Sequence, residues 1–282
     1  MNHIVNRFLF NGLKEESGGV VWGSRVECMV FLNTDMNREL FKFISMDSVM
    51  THRYLWRTTA FHVTADGAAN HLFDMFPEAR EQYIPDYIIV CAVCDCQDQG
   101  DFDSLHSNVL DYYQAHGSRV LKDPNQDNTD LDKCLLHLHE LSADRSVMNV
   151  PSDRLHVLVY GDLGGRFDHA FGILNSLMLA YPFFKDLVLV GPKSTMRILP
   201  PGVNQIERCS EFQSGDGDIC GIIPLGGVVC EHVTTTGLKW NLNDSRMQFG
   251  ELVSSSNCML FDSATVSAPC HLVWTLSTKW EV

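Results

Sequence analysis

The chain has 282 residues, of which 45% are hydrophobic, and its formal net charge is −14. This length is enough for one large domain or two ordinary ones with buried cores. The acidic balance argues against nucleic acid or an anionic membrane as the main partner, because both are polyanions. It does not exclude a nucleotide, since Mg2+ can bridge an acidic site and a phosphate chain.

Apolar runs, the N-terminal residues and the cysteines indicate the cellular location of the protein. No apolar run reaches the roughly 18 residues that cross a membrane, and residues 1–13 lack the basic and apolar regions of a secretion signal. These features predict a cytoplasmic protein with no membrane partner. The ten cysteines are then expected to be free thiols. Residues 1–24 are expected to be a poorly ordered leader.

Residues 25–200 alternate strand-like and helical patterns. Strands are predicted over 26–32, 61–64, 119–121, 155–160 and 187–190, and helices over 52–59, 68–76, 108–116, from 130 onward and after 168. The fourth helix has one apolar face, made by Leu131, Cys134, Leu135 and Leu138. The fifth has an apolar stripe, made by Phe171, Leu174, Leu177 and Met178. This alternation predicts an α/β domain with a parallel, doubly wound sheet.

The pattern changes near Pro200-Pro201-Gly202. Short strands separated by turn residues follow, over 220–224, 228–234, 247–254, 264–267 and 271–276. Helical periodicity is absent from this part. Residues 201–282 therefore predict a second, all-β domain, a sandwich.

Acidic residues recur at the strand-to-helix crossings, where open α/β sheets bind ligands. They are Asp66, Asp101, Asp103, Asp127, Asp130 and Asp168. Gathered carboxylates suit a hard cation, and a hard cation beside glycine-rich turns suits phosphate. Helix capping is the alternative, by an Asx turn at Asp101 or by Thr129 or Asp130 at the next helix, and both interpretations stay open.

The segment around Arg166 carries a second signal for an anion. A cation in the first turn of a helix opposes the helix dipole, so Arg166 is expected to be held by an anion. Gly161, Gly164 and Gly165 free backbone N–H groups to approach phosphate. No Walker A motif is present.

Two further features allow more than one interpretation. Trp240 is either a core residue of the sandwich or a platform for an aromatic or cationic ring. Cys91, Cys94 and Cys96 form C-x2-C-x-C, but a zinc site needs a fourth ligand that the segment does not offer. Chance cysteines are the favoured interpretation.

Taken together, the segments resemble the eukaryotic type of thiamine pyrophosphokinase. The strings that carry the resemblance are ADGAAN (65–70), GDFDS (100–104), NQDNTDLDKCL (125–135), GDLGGRFDH (161–169), CGIIPLG (220–226), TTTGLKWNL (234–242), FGELVSSSN (249–257) and LVWTLS (272–277). Each string alone is weakly specific. Eight of them in the family's order, over nearly the whole chain, are specific.

The resemblance implies an enzyme that transfers a diphosphoryl group from ATP to thiamine, giving thiamine diphosphate and AMP. It implies a Rossmann-like N-terminal domain, a C-terminal β-sandwich, and a homodimer with active sites between subunits. Mg2+ is the implied cofactor and ATP the co-substrate. Nucleic acid is not among the implied partners.

The same resemblance assigns roles to residues. The catalytic residues it implies are Asp101, Asp103, Asp130, Asp168 and Arg166, and the four aspartates are also the implied Mg2+ ligands. The ATP-binding positions it implies are Asp66, Asn70, Gln126, Asp127, Thr129, Gly164 and Gly165. The thiamine-binding positions are Trp240, Thr236, Leu238, Ser254 and Asn257.

The chain departs from the family pattern at two places. Ala68 stands where the pattern has glycine, and residues 89–99 form an insert that holds the C-x2-C-x-C run beside Asp101. Two alternatives therefore remain: another Mg2+-dependent phosphotransferase or phosphohydrolase, and a non-catalytic paralogue that binds thiamine or a nucleotide.

Overall fold

The chain folds as two units, Ser24–Gly191 and Pro192–Val282, and the second also includes Met1–Gly23. The computed structural model describes residues 2–4, 26–34, 56, 59–75, 77–91, 105–144, 146–148, 150–161, 163–184, 186–191, 194–207, 218–225 and 227–277. The first described strand, β1 (Asn2–Ile4), lies within the expected leader and belongs to the second unit. The division falls between Gly191 and Pro192, whereas the sequence pattern changes near Pro200.

The first unit contains a parallel sheet, as predicted. Its described strands are β2 (Val26–Phe31), β3 (Phe61–Ala65), β4 (Tyr87–Cys91), β5 (Arg119–Asp123), β6 (Leu155–Tyr160) and β7 (Asp186–Val190). They run in the order β7-β6-β2-β3-β4-β5, and every pairing between neighbours is parallel. Every residue of β3 and β6 is buried, as strands of a sheet covered on both faces should be.

Four α-helices accompany this sheet in the described part of the unit. They are α1 (Ala68–Met75), α2 (Ser107–Ala115), α3 (Asp130–Ala143) and α4 (Phe167–Ala180). Helix α3 buries the four residues predicted to form its apolar face, which are Leu131, Cys134, Leu135 and Leu138. Of the helix predicted over 52–59, only Trp56 and Thr59 lie within the described residues. No helix in the described ranges is both long and apolar enough to cross a membrane.

The apolar stripe predicted for α4 is wrong in part. Phe171 is 69% exposed, and the buried face passes through Ile173, Leu177 and Ala180 instead. The hydrophobic residues of α4 surround most of the helix, so their spacing did not identify which side packs against the sheet. Phe167 is 83% exposed on the same outer side.

The second unit is all-β in its described part, as predicted. After β1, its strands are β8 (Ser194–Leu199), β9 (Gly202–Glu207), β10 (Asp218–Pro224), β11 (Cys230–Thr236), β12 (Ser245–Met247), β13 (Ser254–Met259), β14 (Ser263–Ala268) and β15 (Leu272–Ser277). Strands β13-β10-β15-β8 pair antiparallel. A second sheet has the order β1-β9-β14-β11-β12, in which only the β1–β9 pairing is parallel.

One hydrophobic cluster contains residues from both of these sheets. It includes Ile222 and Trp274 from the first sheet and Val233, Met247 and Val266 from the second. The fully buried tryptophan of this core is Trp274, which is 1% exposed. The single strand predicted over 247–254 is wrong, because residues 248–253 separate β12 from β13.

A disulfide joins Cys230, at the start of β11, to Cys270, in the turn between β14 and β15. The expectation that all ten cysteines are free is therefore wrong for this pair. The two residues are 40 positions apart in sequence, with Cα atoms 5.8 Å apart, and only the fold brings them together. Cys28, Cys91, Cys134, Cys220 and Cys258 are not in disulfides.

We predict that Cys270→Ser lowers the free energy of unfolding by about 3 to 4 kcal/mol, because the cross-link closes a long loop of the unfolded chain. Urea unfolding with and without a reducing agent measures this. The wild-type protein should lose stability on reduction, and Cys270→Ser should not respond. Cys258→Ser is the control and should keep the response. A wild-type protein insensitive to reduction contradicts the prediction.

Candidate functional site

The carboxyl edge of the parallel sheet is where the site residues of the first unit collect. The strand order reverses between β2 and β6, since β3, β4 and β5 lie on one side of this pair and β7 on the other. The N–H of Leu32 donates to the carbonyl of Tyr160 at 2.9 Å, which holds the two strand ends together. Open α/β sheets bind ligands at such a reversal.

Close packing at this reversal leaves no room for a side chain at Gly161. A Cβ atom added there would lie 3.0 Å from the Cβ of Leu32 and 3.1 Å from Oγ1 of Thr34. Its N–H donates to the carbonyl of Val190 at 3.2 Å, so this group is not available for phosphate, contrary to the interpretation from sequence. Gly165 has a φ of +78°, and a Cβ atom added there would have nothing within 4 Å, so its role is to let the exposed loop turn.

Asp66 lies in the turn after β3, and Asn70 lies in the first turn of α1. Asp66 is 7% exposed, and its N–H donates to the carbonyl of Ile89 at 3.0 Å. Oδ1 of Asn70 accepts a hydrogen bond from the N–H of His106 at 3.0 Å. His106 is the N-cap residue of α2, so the Asn70 side chain holds the start of that helix.

The segment before α3 contains capping interactions. Thr129 is the N-cap, and its Oγ1 accepts from the N–H of Asp132 at 3.1 Å, while Oδ2 of Asp132 accepts from the N–H of Thr129 at 2.9 Å. The capping interpretation is thus confirmed for Thr129. The Gln126 amide donates to Sγ of Cys91 at 2.9 Å, which ties this segment to the end of β4. The N–H of Asp127 donates to Oδ1 of Asn125 in an Asx turn.

Asp130 is the first residue of α3 and keeps exposed surface. Neighbouring atoms restrict hydration of its carboxylate, and this raises its pKa, while the charges of Lys133 and His169 oppose the rise. Asp130 and Asp66 also lie close enough to Cys134 to raise the pKa of its thiol, which burial raises most. Two acidic residues predicted from sequence therefore lie around one point of α3.

Lys133 and His169 are members of this cluster that the sequence did not single out as site residues. Lys133 is 2% exposed, and His169 lies in the first turn of α4. The spacing between Asp130 and Lys133 places both on one side of α3, and that signal was available from the sequence. The proximity of His169 to Asp130 depends on how two helices pack, so no local pattern could reveal it.

Arg166 and Asp168 form an ion pair at the start of α4. Nε of Arg166 donates to Oδ1 of Asp168 at 3.1 Å, and Nη2 donates to Oδ2. The side chains are 68% and 64% exposed. Hydrogen bonding to Arg166 lowers the pKa of Asp168, and the same contact raises the pKa of Arg166. The anion expected beside Arg166 is thus its own neighbour.

The described residues do not by themselves complete a cation site. Asp130 and Asp168 carry the hard oxygen donors that Mg2+ prefers, and Asp101 and Asp103 lie outside the described residues. Within the described part of the chain, no three His, Cys, Asp or Glu side chains converge as a metal site requires. The Cys94 and Cys96 positions also lie outside it.

Trp240, in the second unit, is a surface residue and not a core residue. It is 57% exposed, and Nζ of Lys239 lies 4.6 Å from its ring centroid. Its N–H donates to Oδ1 of Asn257 at 3.1 Å, and Nδ2 of Asn257 donates back to the Trp240 carbonyl at 2.8 Å. Asn257 is 2% exposed, so a buried amide fixes the backbone that presents the indole.

Of the other predicted thiamine-binding residues, some lie at the surface and some hold the surrounding structure in place. Thr236 is exposed at the end of β11, and Ser254 is half-buried and accepts from Nδ2 of Asn257 at 3.2 Å. Leu238 is 2% exposed and packs in the core. The backbone around Leu238 pairs with β13, because the N–H of Lys239 donates to the carbonyl of Cys258 at 2.8 Å.

Comparisons with known proteins point to one family. A family model described as thiamin pyrophosphokinase, catalytic domain, matches residues 52–189, and one described as thiamin pyrophosphokinase, vitamin B1 binding domain, matches residues 204–273. The chain is 36% identical over 236 residues to thiamine pyrophosphokinase 2 of Arabidopsis thaliana, covering 80% of each protein. It is 28% identical over 255 residues to the thiamine pyrophosphokinase of Saccharomyces cerevisiae, covering 74% of this chain and 76% of that protein.

Solved structures agree at the level of the fold. The thiamin pyrophosphokinase from Candida albicans matches with a TM-score of 0.75 at 23% identity, covering 99% of this chain and 93% of that chain. The yeast enzyme matches with a TM-score of 0.73 at 24% identity, covering 99% and 91%. The eight motif strings and the two family models name the same family.

We predict that Gly237→Ala destabilises the protein more than Gly250→Ala. Both glycines have positive φ, +82° and +88°, which costs an alanine about 1 kcal/mol. At Gly237 the new Cβ would also lie 2.4 Å from the carbonyl oxygen of Ser263, whereas Gly250 has nothing within 4 Å. Denaturant unfolding should show a loss at Gly237 at least about twice that at Gly250. Equal losses would contradict this placement of the Trp240 segment.

Proposed function

Because this chain belongs to the thiamine pyrophosphokinase family, we propose that it transfers the diphosphoryl group of ATP to thiamine, giving thiamine diphosphate and AMP. The observation that carries this proposal is the match of both family models, catalytic and vitamin B1 binding, in order along one chain. The reaction makes the chain an ATP-dependent diphosphotransferase.

In the proposed step, the hydroxyl oxygen of thiamine attacks the β-phosphorus of ATP. A bond from this oxygen to the β-phosphorus forms, the bond from the β-phosphorus to the oxygen that bridges it to the α-phosphate breaks, and AMP leaves with that oxygen. The hydroxyl proton is released to solvent. Such transfers depend on positioning and charge neutralisation more than on covalent help from the protein.

The phosphate chain is proposed to bind at the carboxyl edge of the Rossmann-like sheet. The residues proposed to contact ATP there are Asp66, Asn70, Gln126, Asp127, Thr129, Gly164 and Gly165. Arg166 supplies positive charge, and its guanidinium has five N–H donors, of which Asp168 uses Nε–H and one on Nη2. The remaining donors and the 68% exposure support a role in binding phosphate oxygens.

Mg2+ is proposed to be held by Asp101, Asp103, Asp130 and Asp168, and when bound it would supply charge neutralisation at the phosphate oxygens. The donor set supports this assignment by chemistry, since carboxylate oxygens are hard ligands.

Thiamine is proposed to stack on Trp240, on the surface of the β-sandwich. The thiazolium ring of thiamine is cationic, and a cation over an indole face is attracted by its electrons. Nζ of Lys239 lies 4.6 Å from the centroid of this ring, a cation–π contact of the same kind as the one proposed for the thiazolium. Thr236 and Ser254 offer hydroxyls nearby in the chain. The buried residues Leu238 and Asn257 hold the segment that carries Trp240 in place.

A homodimer with active sites at the subunit interface is part of the proposal. Three large aromatic side chains of the second unit are exposed, and burying them against a second subunit would remove apolar surface from water. They are Trp240, Phe249 and Phe261. The cytoplasmic location stays a prediction.

We predict that the protein incubated with ATP, Mg2+ and thiamine forms thiamine diphosphate and AMP in equal amounts, because the attack is at the β-phosphorus. Chromatography of the products measures this. Formation of ADP or phosphate would support a different phosphotransferase or phosphohydrolase. Thermal stabilisation by thiamine or ATP without any product would support the non-catalytic paralogue.

Variants with conservative changes serve as controls for that assay. Asp103→Asn and Asp130→Asn should each lower kcat by about a hundredfold or more, since each removes a carboxylate that is proposed to hold Mg2+ at the phosphates. Asp111→Asn, on the exposed side of α2, should leave kcat unchanged. All three should unfold near the wild-type temperature. Wild-type turnover by Asp103→Asn or Asp130→Asn would remove that residue from the catalytic set.

A further inference from the structure

Lys133 is a buried cation whose partner is not among the described residues. It lies in the first turns of α3 and is 2% exposed. Lysine is almost never this buried unless it is paired. Within the described ranges, its side chain makes neither an ion pair nor a hydrogen bond. Its backbone N–H is satisfied separately, by the carbonyl of Thr129 at 3.0 Å.

Two carboxylates of the described residues lie near Lys133, and neither forms an ion pair with it. Asp130 lies one turn earlier on α3, and Asp66 lies at the end of β3, against which α3 packs. All three groups affect the pKa of the thiol of Cys134, the next residue along the helix. The two carboxylates raise this pKa, and Lys133 lowers it. His169 faces Asp130 from α4. This field reduces the cost of burying the ammonium, but it leaves the three N–H donors of the ammonium without an acceptor among the residues that the structure describes.

A structural counter-ion would be arranged differently. Burying a charge costs several kcal/mol unless a partner in close contact compensates it, and natural buried pairs therefore lie at hydrogen-bond distance. Lys133 instead stands back from both aspartates, near the N-terminus of α3. Donors held in this way are suited to an anion that arrives as a ligand.

We propose that Lys133 binds the phosphate chain of ATP, its ammonium donating hydrogen bonds to phosphate oxygens at the start of α3. This inference rests on the proposed function. The helix N-terminus adds positive potential at the same place. Thiamine is not the ligand of Lys133, because its thiazolium is itself a cation and would be repelled.

The variant that tests this is Lys133→Met, which keeps the length of the buried stem and removes the charge. We expect at least a tenfold loss of affinity for ATP, the size expected for a hydrogen bond to a charged group. Titration calorimetry with ATP, and separately with inorganic diphosphate, measures this without turnover. Affinity for thiamine should change less than about twofold. Lys122→Met, at an exposed lysine of β5, is the matched control and should bind ATP as the wild type does.

Stability separates a ligand-binding role from a structural one. Burial of the Lys133 charge costs the folded state free energy that the more distant carboxylates only partly offset, so Lys133→Met should unfold at or above the wild-type temperature. Lys133→Arg retains the charge and should keep part of the ATP affinity. A large fall in the unfolding temperature of Lys133→Met, failure of this variant to fold, or unchanged ATP affinity would overturn the proposal.

The proposed reaction and the role of Lys133 fail in different ways. A wild-type protein that forms no thiamine diphosphate but loses ATP binding in Lys133→Met would overturn the reaction and keep the role of Lys133. Normal turnover with unchanged ATP affinity in Lys133→Met would keep the reaction and overturn the role of Lys133.

Discussion

Charge balance at the carboxyl edge of the parallel sheet is the constraint on which the rest of the structure depends. Asp66 and Asp130 lie around one point of α3 in a chain of net charge −14, and ATP would add further negative charge. Positive charge must therefore be in place before the ligand arrives. In the proposed site, the ammonium of Lys133 and the guanidinium of Arg166 would provide it, together with the N-termini of α3 and α4.

Around these charges, several polar residues hold other groups in position. Thr129 caps α3, Asn70 holds the start of α2, and Asn257 fixes the backbone of Trp240. Each was expected from the family resemblance to contact a substrate. Their hydrogen bonds show that they hold neighbouring groups in fixed positions. Phosphoryl transfer that depends on the positioning of the substrates requires such a rigid arrangement. The two roles are compatible, since a capping oxygen has more than one lone pair.

The fold was predictable where local patterns decide it. The apolar face of α3 and the buried run of β6 follow from spacing and composition, and both are as expected. The exposed face of α4 was not predictable, because its hydrophobic residues leave the packed side undefined until the sheet is present. Trp240 and Trp274 look alike in sequence, yet only Trp274 is buried. The Cys230–Cys270 pair and the proximity of His169 to Asp130 are long-range contacts, which no local pattern encodes.

Attack at the β-phosphorus is the central claim, and an isotope label in ATP tests it most directly. ATP carrying 18O in the bridge between the α- and β-phosphates is incubated with the protein, Mg2+ and thiamine, and mass spectrometry locates the label in the products. Breakage of the bond between the β-phosphorus and the bridging oxygen predicts that all of the label leaves in AMP. Label retained in the diphosphate group, or in ADP, would contradict it.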